Sequence, residues 1–304
     1  MLVEKLSRQA KVSEDWLWHL ARTASVRYKL YEIPKRTGGT RLIEHPSRDL
    51  KSVQRWLTHE VVGQLPVHQN ATAYKKGTSI QQNASLHLGS RYTVRYDFRS
   101  FFPSFSDIRI RRFLQEITES GAVDLDSRDI DFFTDCVTRK GRLTIGAPSS
   151  PALSNAMMFQ FDSRMTDMCG KSGLRYTRYA DDIFVSSKLP DQLNDIGEYI
   201  ASARKGISYL SLRLNREKTV HLSKKSSRKI TGLVITTDNK VSIGRDRKRE
   251  IKSLVHRFIL LSLLPDEIGR LKGLIAFAHD AEPEFVDRLK TKYGVHNIDR
   301  LMGS

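Results

Sequence analysis

Two adjacent aspartates lie between two strand-forming runs in "YTRYADDIFVSS", residues 176–187. The flanking runs, 174–179 and 183–187, are rich in β-branched and aromatic residues, so the stretch is predicted to form a β-hairpin with Asp181 and Asp182 at its turn. Adjacent carboxylates repel each other at neutral pH unless one is protonated or a cation lies between them. The hairpin is therefore a candidate cation site, and an ordinary acidic surface turn is the alternative.

A third carboxylate ends another β-rich run. Asp97 lies in "YTVRYDF", residues 92–98, and it converges with Asp181 if the two segments are neighbours in one sheet. Hard divalent ions such as Mg²⁺ prefer oxygen ligands, and two of them about 3.5 to 4 Å apart can assist an in-line phosphoryl displacement. The three aspartates together predict phosphoryl-transfer chemistry, whereas Asp97 alone could be an ordinary strand end.

Small and aromatic residues accompany these carboxylates. The stretch "GAPSSPALSN", residues 146–155, would let a nucleotide or a template base approach the main chain closely. Phe101 and Phe102 follow Asp97, where an aromatic ring would lie beneath a sugar. The pattern favours a nucleotide as the substrate.

The overall charge points to a polyanionic partner. The chain of 304 residues has 51 Lys and Arg against 34 Asp and Glu, a formal charge of +17. This balance favours nucleic acid or an anionic membrane surface, and a basic protein without such a partner is the alternative. No apolar run approaches the ~18 residues of a membrane span, and the N-terminus lacks a signal-peptide pattern. The two cysteines have neither disulfide-framework numbers nor metal-ligand spacing, which is typical of a reducing compartment. From these features together, we expect a cytoplasmic protein with no membrane partner.

Periodicity predicts the order of the elements. A strand pair joined by a Gly38-Gly39 turn is expected within 28–47. Helices are predicted at 49–65, 107–119, 127–138, 152–165 and 190–204, with a loop at 143–151 and further strands at 219–223, 229–236 and 240–244. Beyond a boundary near residue 239, the apolar stripe and the opposite basic face of 245–258 predict a small helical domain.

These segments together resemble reverse transcriptases, and among them the retron-type enzymes of bacteria. The matching stretches follow the family's order: "TRLIEHPSRDLKSVQRWL", "NASLH", "YDFRSFFPSF", "GAPSSPALSN", "YTRYADDIFVSS", "LRLNREKT" and "KITGLVI". The narrower resemblance to retron enzymes depends on "NASLH" and "ITG". The matches cover about residues 28 to 237.

The resemblance implies an α+β, right-hand polymerase fold, with fingers, a palm built on an antiparallel sheet with helices, and a helical thumb. The expected divisions are 1–92 for N-terminal helices and fingers, 93–238 for the palm with a finger insertion around 106–140, and 239–304 for the thumb.

The resemblance also implies roles for individual residues near the nucleotide. Those expected to bind metal are Asp97, Asp181, Asp182 and the Phe98 carbonyl, and the three aspartates are the expected catalytic residues. Those expected to contact the nucleotide are Lys35 and Arg41 at the triphosphate, Phe102 as the gate against a ribose 2′-hydroxyl, Ala147, and Lys218 near the leaving pyrophosphate. A solvated surface lysine is the alternative for Lys218.

A further set is expected to contact nucleic acid: Asn83, His87, Thr231, Gly232, Arg245, Arg247, Lys248, Arg249 and Lys252. Polar contacts within the fold explain Asn83 and His87 equally well, and a solvated helix face is the alternative for the basic set. The sequence departs from the family at Ile145, where glutamine is usual, and at Ile230, where valine is usual.

The implied activity is RNA-directed DNA synthesis with two Mg²⁺ ions, for which Mn²⁺ is an alternative, and deoxynucleotide triphosphates. For a retron enzyme, the resemblance further implies priming from the 2′-hydroxyl of a guanosine in a cognate structured noncoding RNA. The product would be a branched RNA-linked single-stranded DNA (msDNA), made in anti-phage defence beside a separate effector protein. The alternatives are a group II intron-like or other stand-alone reverse transcriptase, and a noncatalytic RNA-binding scaffold.

Overall fold

The computed structural model describes residues 1–35, 38–223, 225 and 227–303. Its α-helices are α1 (Leu2–Ala10), α2 (Glu14–Arg22), α3 (Arg48–Glu60), α4 (Ile80–Ser85), α5 (Asp107–Glu119), α6 (Ser127–Val137), α7 (Ser149–Met157), α8 (Phe159–Lys171), α9 (Ile196–Arg204), α10 (Arg245–Ile259), α11 (Pro265–Ala281), α12 (Pro283–Tyr293) and α13 (Val295–Met302). Its strands are β1 (Tyr28–Pro34), β2 (Thr40–Pro46), β3 (Tyr92–Asp97), β4 (Arg175–Tyr179), β5 (Asp182–Ser187), β6 (Val220–Ser223), β7 (Arg228–Ile230), β8 (Leu233–Ile235) and β9 (Val241–Ser242).

The N-terminal third pairs a two-stranded ribbon with helices. β1 and β2 are antiparallel, and both glycines of the predicted Gly38-Gly39 turn have positive φ, which a residue without Cβ adopts at little cost. The side chain of Ser47 accepts a hydrogen bond from the amide of Leu50 and so caps α3. The predicted ribbon is thus confirmed, and the helix predicted at 49–65 is confirmed as α3, which ends earlier, at Glu60.

A four-stranded antiparallel sheet in the order β4-β5-β3-β6 forms the centre of the molecule. The two inner strands meet at Val94 and Val185, which are opposite each other and fully buried. α5 to α9 contribute to the same hydrophobic core. This sheet confirms the antiparallel palm that the resemblance implied.

The predicted loop at 143–151 is shorter than expected, because α7 already begins at Ser149. Pro151 lies in the first turn, where amides have no partner within the helix, so a proline is tolerated there. The single helix predicted for 152–165 is interrupted at Met158, whose ψ of −3° departs from helical geometry. The helix predicted at 190–204 is α-helical only from Ile196.

The stretch 229–236 was expected to be one strand and is instead the tight hairpin of β7 and β8. Thr231 and Gly232 at its turn have φ of 47° and 84°, the pair of positive values typical of a type I′ turn. Threonine is uncommon in this conformation, so Thr231 gave no turn signal. The apolar residues on both sides of it therefore predicted one continuous strand.

A second hydrophobic core contains the inner faces of α10 to α13. It begins before the boundary predicted at residue 239, because Ile230 and Leu233 belong to it, and it also includes Ala84 and Phe184. The residue limits expected for the fingers, palm and thumb therefore stay predictions. Among the described residues, no helix is both long enough and apolar enough to cross a bilayer.

Candidate active site

Main-chain pairing brings the three aspartates to one edge of the central sheet. In the β3–β5 register Asp97 lies opposite Asp182, and the Phe98 amide donates a hydrogen bond of 3.1 Å to the Asp181 carbonyl. The Asp97 carbonyl accepts from the Asn215 amide at 2.8 Å, which fixes the end of β3 from its other side. The predicted convergence of Asp97 with the aspartate hairpin is confirmed.

The turn that carries the aspartates has an unusual backbone. Tyr179 and Asp182 are paired, so Ala180 and Asp181 form a two-residue loop, in which Ala180 has a φ of 56°. For a residue with a Cβ, the left-handed region costs roughly 1–2 kcal/mol. Contacts from the surrounding structure must therefore hold the loop in this conformation.

A buried ion pair supplies such a contact. Arg178 and Asp162 are both fully buried and form a bidentate pair, with Nε to Oδ1 at 2.8 Å and Nη2 to Oδ2 at 2.6 Å. Nη1 of Arg178 donates to the Ala180 carbonyl at 3.0 Å and to Asn155 Oδ1 at 3.1 Å. The Tyr176 hydroxyl donates to the same Asp162 carboxylate at 2.6 Å. The guanidinium thus connects α7 and α8 to the carbonyl that precedes Asp181.

Sequence reasoning did not identify this network. One signal was available, because Arg178 is a charged residue within a strand and lies opposite Ile183, which faces the core. A charge at such a position requires a buried partner. Its partner Asp162 could not be recognised among the polar residues of a distant helix.

Burial and like charges together disfavour ionisation of the aspartates at the hairpin. Burial and then the charge of Asp97 raise the pKa of Asp181. Burial and then the charge of Asp181 raise the pKa of Asp182 to about 6, against the opposing charge of Arg95, whose Nε lies 3.9 Å from Asp182 Oδ1. Lys218 Nζ lies 3.2 Å from both carboxylate oxygens of Asp97. The site therefore carries excess negative charge that Lys218 neutralises only in part.

The chemistry of these side chains fits a divalent cation, but they are not yet arranged as ligands. Within the described ranges, no group of three or more His, Cys, Asp or Glu side chains is positioned to hold a metal ion. Three carboxylates are nevertheless the oxygen donors that Mg²⁺ prefers, and the Lys218 ammonium already acts as a cation on both Asp97 oxygens.

Of the two phenylalanines after Asp97, only one remains accessible. Phe101 is buried and stacks on Phe98, with ring centroids 6.1 Å apart. Phe102 is half-buried, and its ring lies 6.3 Å from that of Tyr74. Tyr74 is 52% exposed as a whole residue, and burial of its hydroxyl and then the charge of Asp181 raise its pKa. Tyr74, which sequence reasoning missed, is therefore a further aromatic residue beside the aspartates.

The predicted fingers residues lie on the ribbon. Lys35 directly follows β1 and Arg41 is in β2, and both are exposed. Arg41 is close enough for its charge to oppose the rise in the pKa of Asp181. The ribbon thus presents a guanidinium toward the carboxylates.

The small-residue loop packs against the ribbon. The Ile145 carbonyl accepts from the Glu44 amide at 2.8 Å, and a Cβ on Gly146 would lie 2.8 Å from the Glu44 carbonyl oxygen. Only glycine fits there, at a φ of 120°. Ala147 is 4% exposed, so its side chain offers little surface to a ligand, and the nucleotide contact expected at this residue stays a prediction.

The comparisons with known proteins agree on one family. The model of the reverse transcriptase (RNA-dependent DNA polymerase) family matches residues 33–235. Retron Ec83 reverse transcriptase of Escherichia coli is 34% identical over 91% of this chain and 90% of its own length. Retron Ec86 reverse transcriptase of Escherichia coli is 29% identical over 97% of this chain and 91% of its own length. The chain belongs to the retron reverse transcriptases. It is an RNA-directed DNA polymerase.

Solved structures support the fold of this reverse transcriptase. Telomerase from Candida albicans, solved with the TWJ fragment of telomeric RNA, superposes with a TM-score of 0.50 at 13% identity. The match covers 97% of this chain but 63% of that telomerase, so the chain spans less than two thirds of the solved protein. At this identity the likeness concerns the polymerase fold alone.

Two residues expected to contact nucleic acid are instead buried in the reverse transcriptase. The ring nitrogens of His87 hydrogen-bond Ser186 at 2.7 Å and Thr177 at 2.8 Å, and burial lowers the pKa of His87 to about 3. Asn83 is also fully buried. Because protein encloses both side chains, neither contacts RNA directly in this conformation. Their polar contacts within the fold agree with the alternative given for these two residues from the sequence.

The two markers of the retron resemblance lie against each other. Thr231 Oγ1 donates to the Ile80 carbonyl at the start of α4, at 3.2 Å, and Asn83 Nδ2 lies 3.5 Å from the same hydroxyl. The turn of Thr231 and Gly232 thus rests on the helix that carries Asn83. The side chain of Thr231 is half-buried and engaged in this contact, and the carbonyl of the exposed Gly232 accepts from Arg247 Nη1 at 3.4 Å, so the nucleic-acid contact expected at this turn stays a prediction.

The basic face of α10 is only partly free. Lys248 forms an ion pair of 2.6 Å with Glu282, and the Arg247 guanidinium lies 4.5 Å from the centre of the Phe277 ring. Both side chains thus already have partners in the C-terminal helices, and phosphate binding by either one stays a prediction. The remaining basic residues of the predicted set are exposed: Arg245, Arg249 and Lys252.

Proposed function

We propose that this reverse transcriptase makes a branched, RNA-linked single-stranded DNA (msDNA) from a cognate noncoding RNA by nucleotidyl transfer at the aspartate hairpin. The observation that carries the proposal is the strand pairing that aligns Asp97 with Asp182 beside Asp181. The identity to retron reverse transcriptases over nearly the whole chain supports the retron product rather than that of a group II intron-like enzyme.

We infer that Asp97, Asp181, Asp182 and the Phe98 carbonyl hold two Mg²⁺ ions, for which Mn²⁺ is an alternative. When bound, such ions neutralise charge on the attacking and leaving oxygens of an in-line displacement. The support within this chain is that the strand pairing brings the three carboxylates together, and that burial and then their mutual charge raise the pKa of both Asp181 and Asp182.

The protein groups around the aspartates have complementary roles in the proposal. Lys218 neutralises Asp97 in the free enzyme, and an incoming triphosphate offers its ammonium a second anionic partner. Arg41, together with Lys35, grips the triphosphate, because a guanidinium donates paired hydrogen bonds to phosphate oxygens. The accessible ring of Phe102 lies beneath the sugar and excludes a 2′-hydroxyl, which selects deoxynucleotides.

The RNA partner follows from the charge and the family. The exposed side chains of Arg245, Arg249 and Lys252 recur on one face of α10 and suit the phosphates of a structured RNA. The proposed primer is the 2′-hydroxyl of a guanosine in that RNA. The proposed setting is cytoplasmic anti-phage defence beside a separate effector protein, and the proposed fingers, palm and thumb are 1–92, 93–238 and 239–304.

The proposal is tested by expressing the chain with its flanking noncoding DNA and isolating small nucleic acids. We expect a branched DNA that becomes shorter on RNase treatment. The Asp181→Asn variant should abolish it, whereas Asp191→Asn, at an exposed aspartate outside the site, should not. A wild type that copies a primed RNA template but yields no branched DNA would contradict the retron product. Magnesium-dependent incorporation that survives Asp181→Asn would contradict the mechanism.

The gate is tested separately with Phe102→Ala. We expect ribonucleotide incorporation to rise relative to deoxynucleotide incorporation, because the ring that meets the 2′-hydroxyl is removed. Tyr74→Ala removes the neighbouring exposed ring and is the matched control. An unchanged selectivity in Phe102→Ala would exclude the gate.

A further inference from the structure

A cavity of about 520 Å³ lies at the end of the β1–β2 ribbon opposite its glycine turn, lined by residues 26–29, 45–48 and 51. We propose that this cavity binds the phosphate groups of a single-stranded nucleic acid. The inference rests on the proposed function, because it assigns part of the path that the RNA strand takes over the enzyme. The cavity is within the usual size range of ligand pockets.

Uncompensated positive charge is the first argument. Lys29 and His45 lie directly opposite each other in the ribbon, and Lys51 Nζ is 3.0 Å from His45 Nε2. Because an ammonium only donates, Nε2 accepts and the ring proton is on Nδ1, so the positive charge remains on Lys51. Arg27 and Arg48 add two guanidinium groups, and the cavity wall contains no Asp or Glu among its described residues. An anion would supply the missing charge.

The cavity walls are held in place. The Ser47 amide donates to the Arg27 carbonyl at 2.7 Å, and Arg27 Nε donates to Thr23 Oγ1 at 2.8 Å. The Ser47 hydroxyl already caps the Leu50 amide of α3, so the site depends on its cationic side chains and not on the end of the helix. A fixed guanidinium loses less conformational entropy when it binds phosphate.

The register of the ribbon favours a strand over a free phosphate. Side chains alternate between faces, so the Lys29–His45 pair shares a face with the Ile33–Arg41 pair. Arg41 is four residues from His45, about 13 Å along the strand. Between them, Tyr31 is 43% exposed on the same face. Cations at both ends with an exposed ring between them are typical of surfaces that bind single strands, on which bases stack.

The test compares Lys29→Gln/Lys51→Gln with Lys11→Gln/Lys171→Gln, which removes the same charge at exposed positions elsewhere. Anisotropy of a labelled single-stranded RNA is measured over a series of salt concentrations. We expect the slope of log K against log salt to fall by about 1.4 in the first variant, since each lost phosphate contact contributes about 0.7, and to stay at the wild-type value in the second. The single Lys29→Gln variant, at an exposed position, should lose about 0.7. Equal slopes in the wild type and the first double variant would overturn the proposal.

A second arm separates the sources of phosphate. Pyrophosphate binding is measured by calorimetry with the same variants. Binding that the Lys29→Gln/Lys51→Gln change abolishes, with the RNA slope unaltered, would assign the cavity to a free phosphate and overturn the strand. Deoxynucleotide incorporation by the wild type is measured alongside. If the wild type incorporates no deoxynucleotide but the RNA slope is still reduced in Lys29→Gln/Lys51→Gln, the proposed function is refuted and phosphate binding in the cavity is supported.

Discussion

The buried pair of Arg178 and Asp162 allows a quantitative prediction about the aspartate turn. In Asp162→Asn, the guanidinium keeps a neutral acceptor but loses its charged partner in a fully enclosed position. Breaking a buried ion pair by removing one charge typically costs 3–5 kcal/mol. We therefore expect the free energy of unfolding in urea to fall by about 3–5 kcal/mol.

A double substitution separates stability from the positioning of the turn. Replacing both partners, as in Arg178→Met/Asp162→Leu, leaves no unpaired buried charge, so part of the stability should return, although the Tyr176 hydroxyl and Asn155 Oδ1 each lose a partner. The hydrogen bond from Nη1 to the Ala180 carbonyl is still lost, however. A hydrogen bond to a charged group contributes about 1.5–3 kcal/mol, which corresponds to roughly a 10- to 150-fold loss of rate if it serves wholly to hold the turn.

The assay is steady-state deoxynucleotide incorporation on a primed RNA template, measured where each variant is folded. The control is Glu250→Gln, which breaks the exposed Arg270–Glu250 pair and should change stability by less than about 1 kcal/mol. An unfolding free energy of Asp162→Asn equal to that of the wild type would refute the role of the buried pair. A stable double variant with wild-type incorporation would refute the role of Arg178 at the turn.

Three further predictions concern other parts of the site. Without divalent ions, the raised pKa of Asp182 means that the folded state binds its proton more tightly than the unfolded state. The contribution of Asp182 to the free energy of unfolding should therefore fall as the pH rises from about 4 to about 6. Urea titrations in EDTA should show that Asp182→Asn removes this trend. Wild-type and variant curves of unfolding free energy against pH that run parallel would contradict it. His87→Ala should cost about 1–3 kcal/mol, seen as a lower melting temperature, because the Thr177 hydroxyl loses its ring partner while Ser186 keeps its bond with Thr93; reduced RNA affinity at unchanged stability would favour a direct contact instead. Gly146→Ala should lower the free energy of unfolding by about 1–3 kcal/mol, because its Cβ would overlap the Glu44 carbonyl, and a neutral effect would show that the loop can shift.

The parts of the fold that the sequence predicted are those with a local signal. The β1–β2 ribbon has glycines at the turn that requires them, and α5 follows its apolar periodicity from Asp107 to Glu119. The meeting of Asp97 with the aspartate hairpin was also predictable, because both segments were expected to be strands and the carboxylates shared one chemical requirement.

The rest depends on contacts between residues distant in the chain. Lys248 was expected to bind phosphate before folding placed Glu282 beside it, and nothing local to Arg178 in the sequence indicates Asp162 as its partner. The turn at Thr231 was missed because a positive φ at threonine is set by its contact with α4, not by its own preference. The burial of His87 likewise follows from hydroxyls on β4 and β5 that no motif reveals.

The contacts of Glu44 bear on how the ribbon can move. Its amide donates to the Ile145 carbonyl, its carboxylate pairs with Arg139, and its carbonyl lies against Gly146, so β2 is held at this residue by the segment 139–146. If the ribbon moves toward an incoming nucleotide, it pivots near Glu44. Arg41 lies beyond this point on β2 and moves with the ribbon. Removing the contacts of Glu44 would therefore change the rate of nucleotide binding without changing any residue that contacts the nucleotide.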